Sequence, residues 1–134
     1  MRDFHQKHFF VLMIFLLLVV TGCSTSLNGI KVDQVKVYIN IESEANTMVK
    51  EITGEKDEAG VLIKLVQQVK EQDKNIDLPP SDYQLVFSLE NGETLTYSLW
   101  LDPEQGRGIV MGDTSHFAGI SSSDVERVAS IIND

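Results

Sequence analysis

Two side chains near the end of the chain have the types and spacing of an acid–base pair. Asp113 and His116 lie three residues apart, and His116 is the only histidine after the first eight residues. A histidine beside a carboxylate can act as a general acid or base near neutral pH. Catalysis would also need a nucleophile or an activated water, an oxyanion site and a pocket, and the sequence marks none of these. We therefore interpret Asp113 and Thr114 as turn residues with local side-chain hydrogen bonds, and His116 as the start of a strand.

The sequence has no cluster of the kind that binds a metal ion. Zinc needs about four ligands, and beyond residue 23 the chain offers one histidine and no cysteine. Asp57, Asp102 and Asp113 are loop carboxylates of the type that calcium prefers, but their spacing does not match an EF-hand. Gly106-Arg107-Gly108 has the composition of a backbone anion nest, and a turn between strands explains its glycines at least as well. We expect neither a metal nor a cofactor.

The single cysteine, Cys23, follows a short hydrophobic segment. Phe9–Val20 holds twelve uncharged apolar residues, fewer than the roughly 20 that span a bilayer but within the range of about 7 to 15 for a secretory signal. Val20, Thr21 and Gly22 before Cys23 are similar to the bacterial lipobox, whose cysteine receives diacylglycerol. We predict that residues 1–22 are a lipoprotein signal peptide. Cys23 would then be the lipidated N-terminus, on the outer face of the bacterial cell membrane.

Composition limits the partners of the mature protein. The full chain has 11 basic and 20 acidic residues, and the leader removes Arg2, Lys7 and Asp3, so the remaining 112 residues carry a net charge of −10. Such a charge disfavours nucleic acid and a second, electrostatic attachment to anionic lipid. With one cysteine, no internal disulfide can form. The length suits one domain.

The mature chain begins with a polar stretch and continues as strand and helix patterns. Residues 23–29 are predicted to be the lipidated cysteine and a short tether, and residues 30–134 a single domain. Lys31–Ile41 alternates β-branched and polar residues, which predicts a half-buried strand. Residues 42–54 lack a clean period, so a short strand and an irregular segment both remain open. Asp57 to about Gln72 predicts an amphipathic helix. Its apolar face would consist of Val61, Leu62, Leu65, Val66 and Val69.

The centre of the chain has a hairpin pattern. Tyr83–Leu89 and Leu95–Leu101 both alternate, and Asn91-Gly92 lies between them. An Asn-Gly pair in this position predicts a type I′ turn, because both central residues of that turn need positive φ. The apolar face of the hairpin is expected to pack on the helix.

Two further strands and a second helix complete the pattern. Ile109–Met111 and His116–Ile120 predict antiparallel strands. Ser123 and Glu126 have capping-box spacing, ahead of an apolar stripe formed by Val125, Val128, Ala129 and Ile132. The predicted fold is α+β, an antiparallel β-meander with one helix between strand 1 and the central hairpin and one C-terminal helix.

Alternation also predicts a candidate binding face. If Leu99 and Leu101 face the helices, Trp100 lies on the opposite face, together with Val86, Thr96 and Ser98. A loop or the C-terminal segment could cover Trp100, or it could be an exposed contact residue, and both alternatives remain open. Tryptophan is enriched at binding hot spots, so these four residues are the candidate binding face.

Several short stretches share a pattern with one protein family. They are Cys23 with its lipobox, Asp82–Phe87, Asn91-Gly92, Tyr97–Leu101, Gly108–Met111 and Asp113-Thr114. On these stretches, over roughly residues 31–134, the chain resembles the YhfM-like domain of small lipoproteins from Bacillus-type bacteria. The resemblance implies a membrane lipoprotein and supplies no active site to transfer.

Two functional hypotheses follow from the sequence. The first is a non-catalytic, lipid-anchored module that binds an envelope protein or a small ligand. The alternative is an envelope enzyme that uses Asp113 and His116. The two differ in whether His116 lines a concave pocket with other polar groups or lies in a flat turn.

Overall fold

The computed structural model describes residues 26–39 and 47–134. In this part of the chain, strands and helices follow one another in the order β1 (Ser26–Leu27), β2 (Ile30–Ile39), β3 (Thr47–Thr53), α1 (Asp57–Gln67), β4 (Lys70–Glu71), β5 (Tyr83–Leu89), β6 (Thr94–Asp102), β7 (Arg107–Asp113), β8 (His116–Gly119) and α2 (Ser122–Asn133). The predicted α+β class is confirmed. Residues 42–46 of the segment left open lie outside the described residues, and Thr47–Thr53 is a strand.

The strands form one antiparallel sheet that curls into a half-barrel. The order across it is β1-β2-β5-β6-β7-β8-β4, and β3 pairs with β2. Strands β5 to β8 are the predicted meander. Strand β2 is added beside β5, where Ile39 pairs with Tyr83 and Val32 with Leu89. Between β3 and β5 the chain forms helix α1 and then β4, which pairs with β8 at the other edge of the sheet.

The core lies between the inner face of this sheet and the two helices. Alternate residues of β2 and β5 are fully buried there, as the period of a strand requires; they are Val35, Val37, Leu85 and Phe87. Phe87 also meets the Tyr97 ring edge to face, with centroids 5.8 Å apart. Leu62 of α1 and Val128 of α2 belong to the same buried cluster. The hairpin and helix α1 therefore contribute to the same core.

Helix α1 ends five residues earlier than predicted. The N–H of Gln68 donates to the carbonyl of Leu65, and Lys70–Glu71 then pairs with β8 instead of continuing the helix. At Lys70 and Glu71 the backbone therefore makes hydrogen bonds to strand β8 instead of helical ones, although the helical pattern of apolar residues extends to Val69. The buried face consists of Ala59, Leu62, Ile63, Leu65 and Val66, while Val61 and Val69 are half-buried.

The two Asn-Gly pairs form different turns. The prediction of a type I′ turn at Asn91-Gly92 is wrong, because Asn91 does not have positive φ. The carbonyl of Leu89 accepts from the N–H of Gly92 (3.0 Å), and the N–H of Leu89 donates to Glu93 (2.8 Å). This is a three-residue loop with its glycine, φ 90°, in the left-handed position. The pair with positive φ at both residues is Asn28-Gly29, at 53° and 78°.

That first Asn-Gly pair joins β1 to β2 and changes where the domain begins. Ser26 pairs with Lys31, and Leu27 is only 3% exposed. Residues 26–29, which the sequence assigned to the tether, therefore belong to the sheet. Residues 23–25 lie outside the described part.

Helix α2 begins with a different cap from the one predicted. The side chain of Ser121, in an extended conformation, accepts the N–H of Asp124 at 3.3 Å. Ser123 lies inside the first turn, so the capping box from Ser123 to Glu126 is wrong. The buried residues of the helix are Val125, Val128, Ile131 and Ile132, and the predicted Ala129 is half-buried.

Candidate functional site

Trp100 is partly covered by the loop that precedes β5. Its indole Nε1 donates a hydrogen bond of 2.9 Å to the carbonyl oxygen of Pro79, and its side chain is half-buried. Asp82 holds the same loop against β6, because its Oδ2 accepts the N–H of Leu101 at 2.9 Å and its own N–H donates to Leu99. Of the two alternatives left open for Trp100, the structure shows partial cover by a loop.

Trp100 also lines an open groove of about 710 Å³. We call this the Trp100 groove, and its walls are Pro79, Pro80, Asp82, Trp100, Leu101, Asp102, Gly106, Arg107, Gly108, Ile109 and Ile120. Trp100 pairs directly with Ile109 across β6 and β7, so the two apolar side chains lie next to each other. Exposed Arg107 and Asp102 flank them. The groove therefore has an apolar floor with a charged rim.

The remaining members of the predicted face do not join Trp100 in this groove. Val86 and Thr96 are paired across β5 and β6, and Ser98 pairs with Met111. Thr96 is exposed, while Val86 and Ser98 are half-buried. The candidate binding surface is thus displaced from the centre of the sheet face toward the β6–β7 turn. Sequence alternation could not show this, because Pro79 and Pro80 come from a loop about 20 residues away.

Asp113 and His116 are in contact, as their spacing predicted. Oδ1 of Asp113 lies 2.8 Å from Nδ1 of His116 and also accepts the N–H and hydroxyl of Ser115, both at 2.9 Å. The hydrogen bond from His116, with those from Ser115, lowers the pKa of Asp113 from 3.8 to about 2. The carboxylate is therefore ionised at neutral pH. The predicted local side-chain bonds of Asp113 and the strand that begins at His116 are confirmed, while Asp113 itself is the last residue of β7 and the turn consists of Thr114 and Ser115.

His116 also lines a second groove, of about 470 Å³. This His116 groove is formed by Leu27, Asn28, Val66, Gln67, Val69, Leu95, Thr96, Tyr97, Gly112, Asp113 and His116. Burial raises the pKa of Tyr97 above its usual value of 10.0, so its hydroxyl stays neutral at physiological pH. When the imidazole of His116 is neutral and its Nδ1–H donates to Asp113, the free electron pair of the ring is on Nε2. Such a nitrogen can accept a proton or a hydrogen bond.

The loop carboxylates do not converge on a metal site. No cluster of three or more histidine, cysteine, aspartate or glutamate side chains occurs in residues 26–39 and 47–134. Asp57 begins α1, Asp102 accepts the N–H of Gln105, and Asp113 is engaged by Ser115 and His116.

The glycines around Arg107 serve packing. A Cβ on Gly108 would lie 2.9 Å from the carbonyl oxygen of Trp100 and 3.2 Å from Val125. Gly106 has φ 65°, and a Cβ there would approach Ser122 to 3.0 Å. Close approach of α2 to the β6–β7 turn explains both glycines without an anion.

Cys23 and the lipobox residues Val20, Thr21 and Gly22 lie outside the described residues. Within the described part of the chain, no helix has the length and apolar character needed to cross a membrane.

Comparison with known protein families gives a match over most of the described chain. The family model described as YhfM protein matches residues 30–133. The searches of curated proteins and of solved structures returned no match. The match begins at the first residue of β2 and ends with the last residue of α2, so it covers nearly all of the fold described above. The chain is therefore a member of the YhfM protein family.

Proposed function

We propose that this protein is a non-catalytic binding module, held by a lipid on Cys23 to the outer face of the bacterial cell membrane. Its Trp100 groove binds an envelope protein or a small ligand. The observation that supports this proposal best is the half-buried Trp100, fixed by its hydrogen bond to Pro79 in the wall of an open groove.

The groove has the make-up of a contact surface. Binding surfaces combine an apolar centre that loses water with a polar rim, and tryptophan and arginine are enriched at their hot spots. Here Trp100 and Ile109 form the centre, and Arg107 lies at the rim. The bond to Pro79 holds the indole in place before a partner arrives, which reduces the entropy lost on binding.

Arg107 provides a sharp test because the mature chain has only one other arginine. Arg107 and Arg127 are both exposed, and only Arg107 lines the Trp100 groove. Whatever co-purifies with the anchored protein from its own membranes should be lost with Arg107→Ala or Trp100→Ala and kept with Arg127→Ala. Truncation of a hot-spot side chain typically costs about 2 kcal/mol or more, roughly thirtyfold in affinity.

Thermal melts first establish that each variant is folded. Equal retention of the partner by the Arg107 and Arg127 variants and by Trp100→Ala would rule out the groove as the binding site.

The lipid anchor is tested at Cys23. The short hydrophobic segment and the lipobox predict that Cys23→Ala abolishes both attachment of diacylglycerol and cleavage after Gly22, so that only the uncut precursor is recovered. Blocking the lipoprotein-specific peptidase in a parallel culture should leave the precursor uncut. Normal processing and membrane retention of Cys23→Ala would show an ordinary anchor instead.

A second candidate function is acid–base catalysis at His116. It is favoured by one observation, the bond of 2.8 Å between Asp113 and Nδ1 of a histidine that lines a groove. On that hypothesis His116→Ala abolishes turnover of an envelope substrate. On the binding hypothesis His116→Ala retains the partner and changes stability by less than about 1 kcal/mol.

A further inference from the structure

The lipid anchor and the folded domain are separated by almost no chain. Ser26 is already paired with Lys31 in the sheet, and its carbonyl accepts a hydrogen bond from Gln67 of helix α1 at 3.1 Å. Only three residue steps join Ser26 to Cys23, which reach at most about 11 Å when fully extended. If Cys23 carries the lipid, the surface around Ser26 must lie next to the headgroups.

The Trp100 groove lies at the opposite end of the strands. From Lys31 to Ile39 strand β2 extends eight residues, about 26 Å. Ile39 is aligned with Tyr83, and Tyr83 with Leu99, through the pairing of β2, β5 and β6. Trp100 follows Leu99. The two ends of the sheet are therefore the anchor end and the groove end.

Charge distinguishes the two ends in the same direction. The cleft that includes Ser26 is lined by four basic residues, Lys31, Lys56, Lys64 and Arg127, and by four acidic residues, Glu55, Asp57, Glu90 and Asp124. The net charge of this cleft is therefore zero, although the mature chain as a whole has a net charge of −10. The charged residues that line the Trp100 groove are Asp82, Asp102 and Arg107, which sum to −1. An anionic bilayer repels the groove end more strongly than the anchor end.

We infer that the domain has a fixed orientation, with the surface around Ser26, Lys31 and Gln68 resting on the phospholipid headgroups and the Trp100 groove facing away from the bilayer. We call the former the headgroup surface. This inference rests on the proposed lipid at Cys23. It means that the partner of the Trp100 groove approaches from the extracytoplasmic side and is not a component of the bilayer.

The single tryptophan of the chain allows a direct test. The mature lipidated protein is reconstituted in vesicles of phosphatidylcholine and phosphatidylglycerol, with part of the phosphatidylcholine spin-labelled at its headgroup. Two variants move the fluorophore to the headgroup surface, Lys31→Trp and Gln68→Trp, each combined with Trp100→Phe. Both positions are exposed, and neither has the positive φ that would strain a tryptophan.

Headgroup spin labels should quench tryptophan at positions 31 and 68 several times more strongly than they quench Trp100 in the unmodified protein. Acrylamide dissolved in the water should quench Trp100 more strongly than it quenches tryptophan at positions 31 and 68. Equal quenching of all three positions, or stronger quenching of Trp100, would overturn the orientation even though the protein floats with the vesicles. Failure to float with the vesicles would instead overturn the lipid anchor, and the orientation with it. If a double variant does not fold, the quenching of Trp100 in the unmodified protein still tests the orientation, because strong quenching by the headgroup labels would contradict it.

Discussion

At the scale of single residues, the hydrogen bonds that lower the pKa of Asp113 are entirely local. Three hydrogen bonds from Ser115 and His116 stabilise the carboxylate. Because all three donor groups belong to residues no more than three positions from Asp113, the sequence spacing was enough to predict the pair and its local hydrogen bonds. The bond from Trp100 to Pro79 spans 21 residues, so only the folded chain could show it.

The pKa of Asp113 predicts a pH-dependent stability. Its folded value of about 2 lies below the usual 3.8, so between these values the unfolded state binds more protons and stability rises with pH. The contribution of the Asp113 carboxylate to the free energy of unfolding is present above pH 3.8 and is lost as the pH falls through about 2. In urea titrations Asp113→Asn should therefore be less stable than the unmodified domain at pH 6, and the difference should shrink toward pH 2.

The matched control is Asp73→Asn, another exposed carboxyl, in the loop after β4. An Asp113→Asn effect that stays constant from pH 6 to pH 2 would show that the carboxylate charge is not what stabilises the turn.

At the scale of elements, sequence periodicity located most strands and both helices but not their ends. The apolar pattern of α1 extends to Val69, yet the backbone leaves the helix at Gln68 because Lys70–Glu71 pairs with the edge of β8. The same limit applies to the two Asn-Gly turns, whose types depend on how many residues the paired strands leave between them. Strand pairing is a property of the whole sheet, and a local pattern does not contain it.

The start of helix α2 allows the observed cap, Ser121, to be tested against the cap predicted from the sequence, Ser123. Ser121→Ala removes the side chain that accepts the N–H of Asp124 and should lower the free energy of unfolding by about 1 kcal/mol. Ser123 is the second residue of the helix. Ser123→Ala should change the free energy of unfolding by only about a few tenths of a kcal/mol, because alanine has the better helix propensity. Chemical denaturation of both variants makes the comparison, and a larger loss for Ser123→Ala would restore the cap that the sequence predicted.

At the scale of the whole molecule, the half-barrel begins earlier than its sequence pattern. Leu27 is one apolar residue in a polar stretch, which is too little for a periodicity argument, but Asn28-Gly29 returns the chain so that Leu27 enters the core. Lys50 is a second residue with no sequence signal. Its Nζ donates to the carbonyl of Ile131 at 2.7 Å and lies 3.4 Å from Glu58, which joins β3 to both helices.

Leu27 decides whether the first strand contributes to the core. In the leader-free chain of residues 24–134, Leu27→Ala should lower the free energy of unfolding by about 2 kcal/mol or more, as expected for a buried leucine. Ser26→Ala, which leaves the backbone pairs of β1 intact, serves as control and should stay within about 0.5 kcal/mol. Equal denaturation midpoints for Leu27→Ala and the unmodified chain would return residues 26–29 to the tether.

The short strand β1 also determines how the protein responds to a pulling force. If Cys23 carries the proposed lipid and the Trp100 groove holds a partner, a load between the two enters the domain at Ser26, at the open end of a hairpin with only two residue pairs. Force in that geometry breaks the pairs of β1 and β2 one after the other, whereas the long pairings of β2 with β5 share it among several bonds. The first strand therefore yields before the core. Its release frees residues 26–29 and lengthens the connection by at most about 13 Å, so a domain anchored at Cys23 would follow a moving partner while β2–β8 and both helices stay folded.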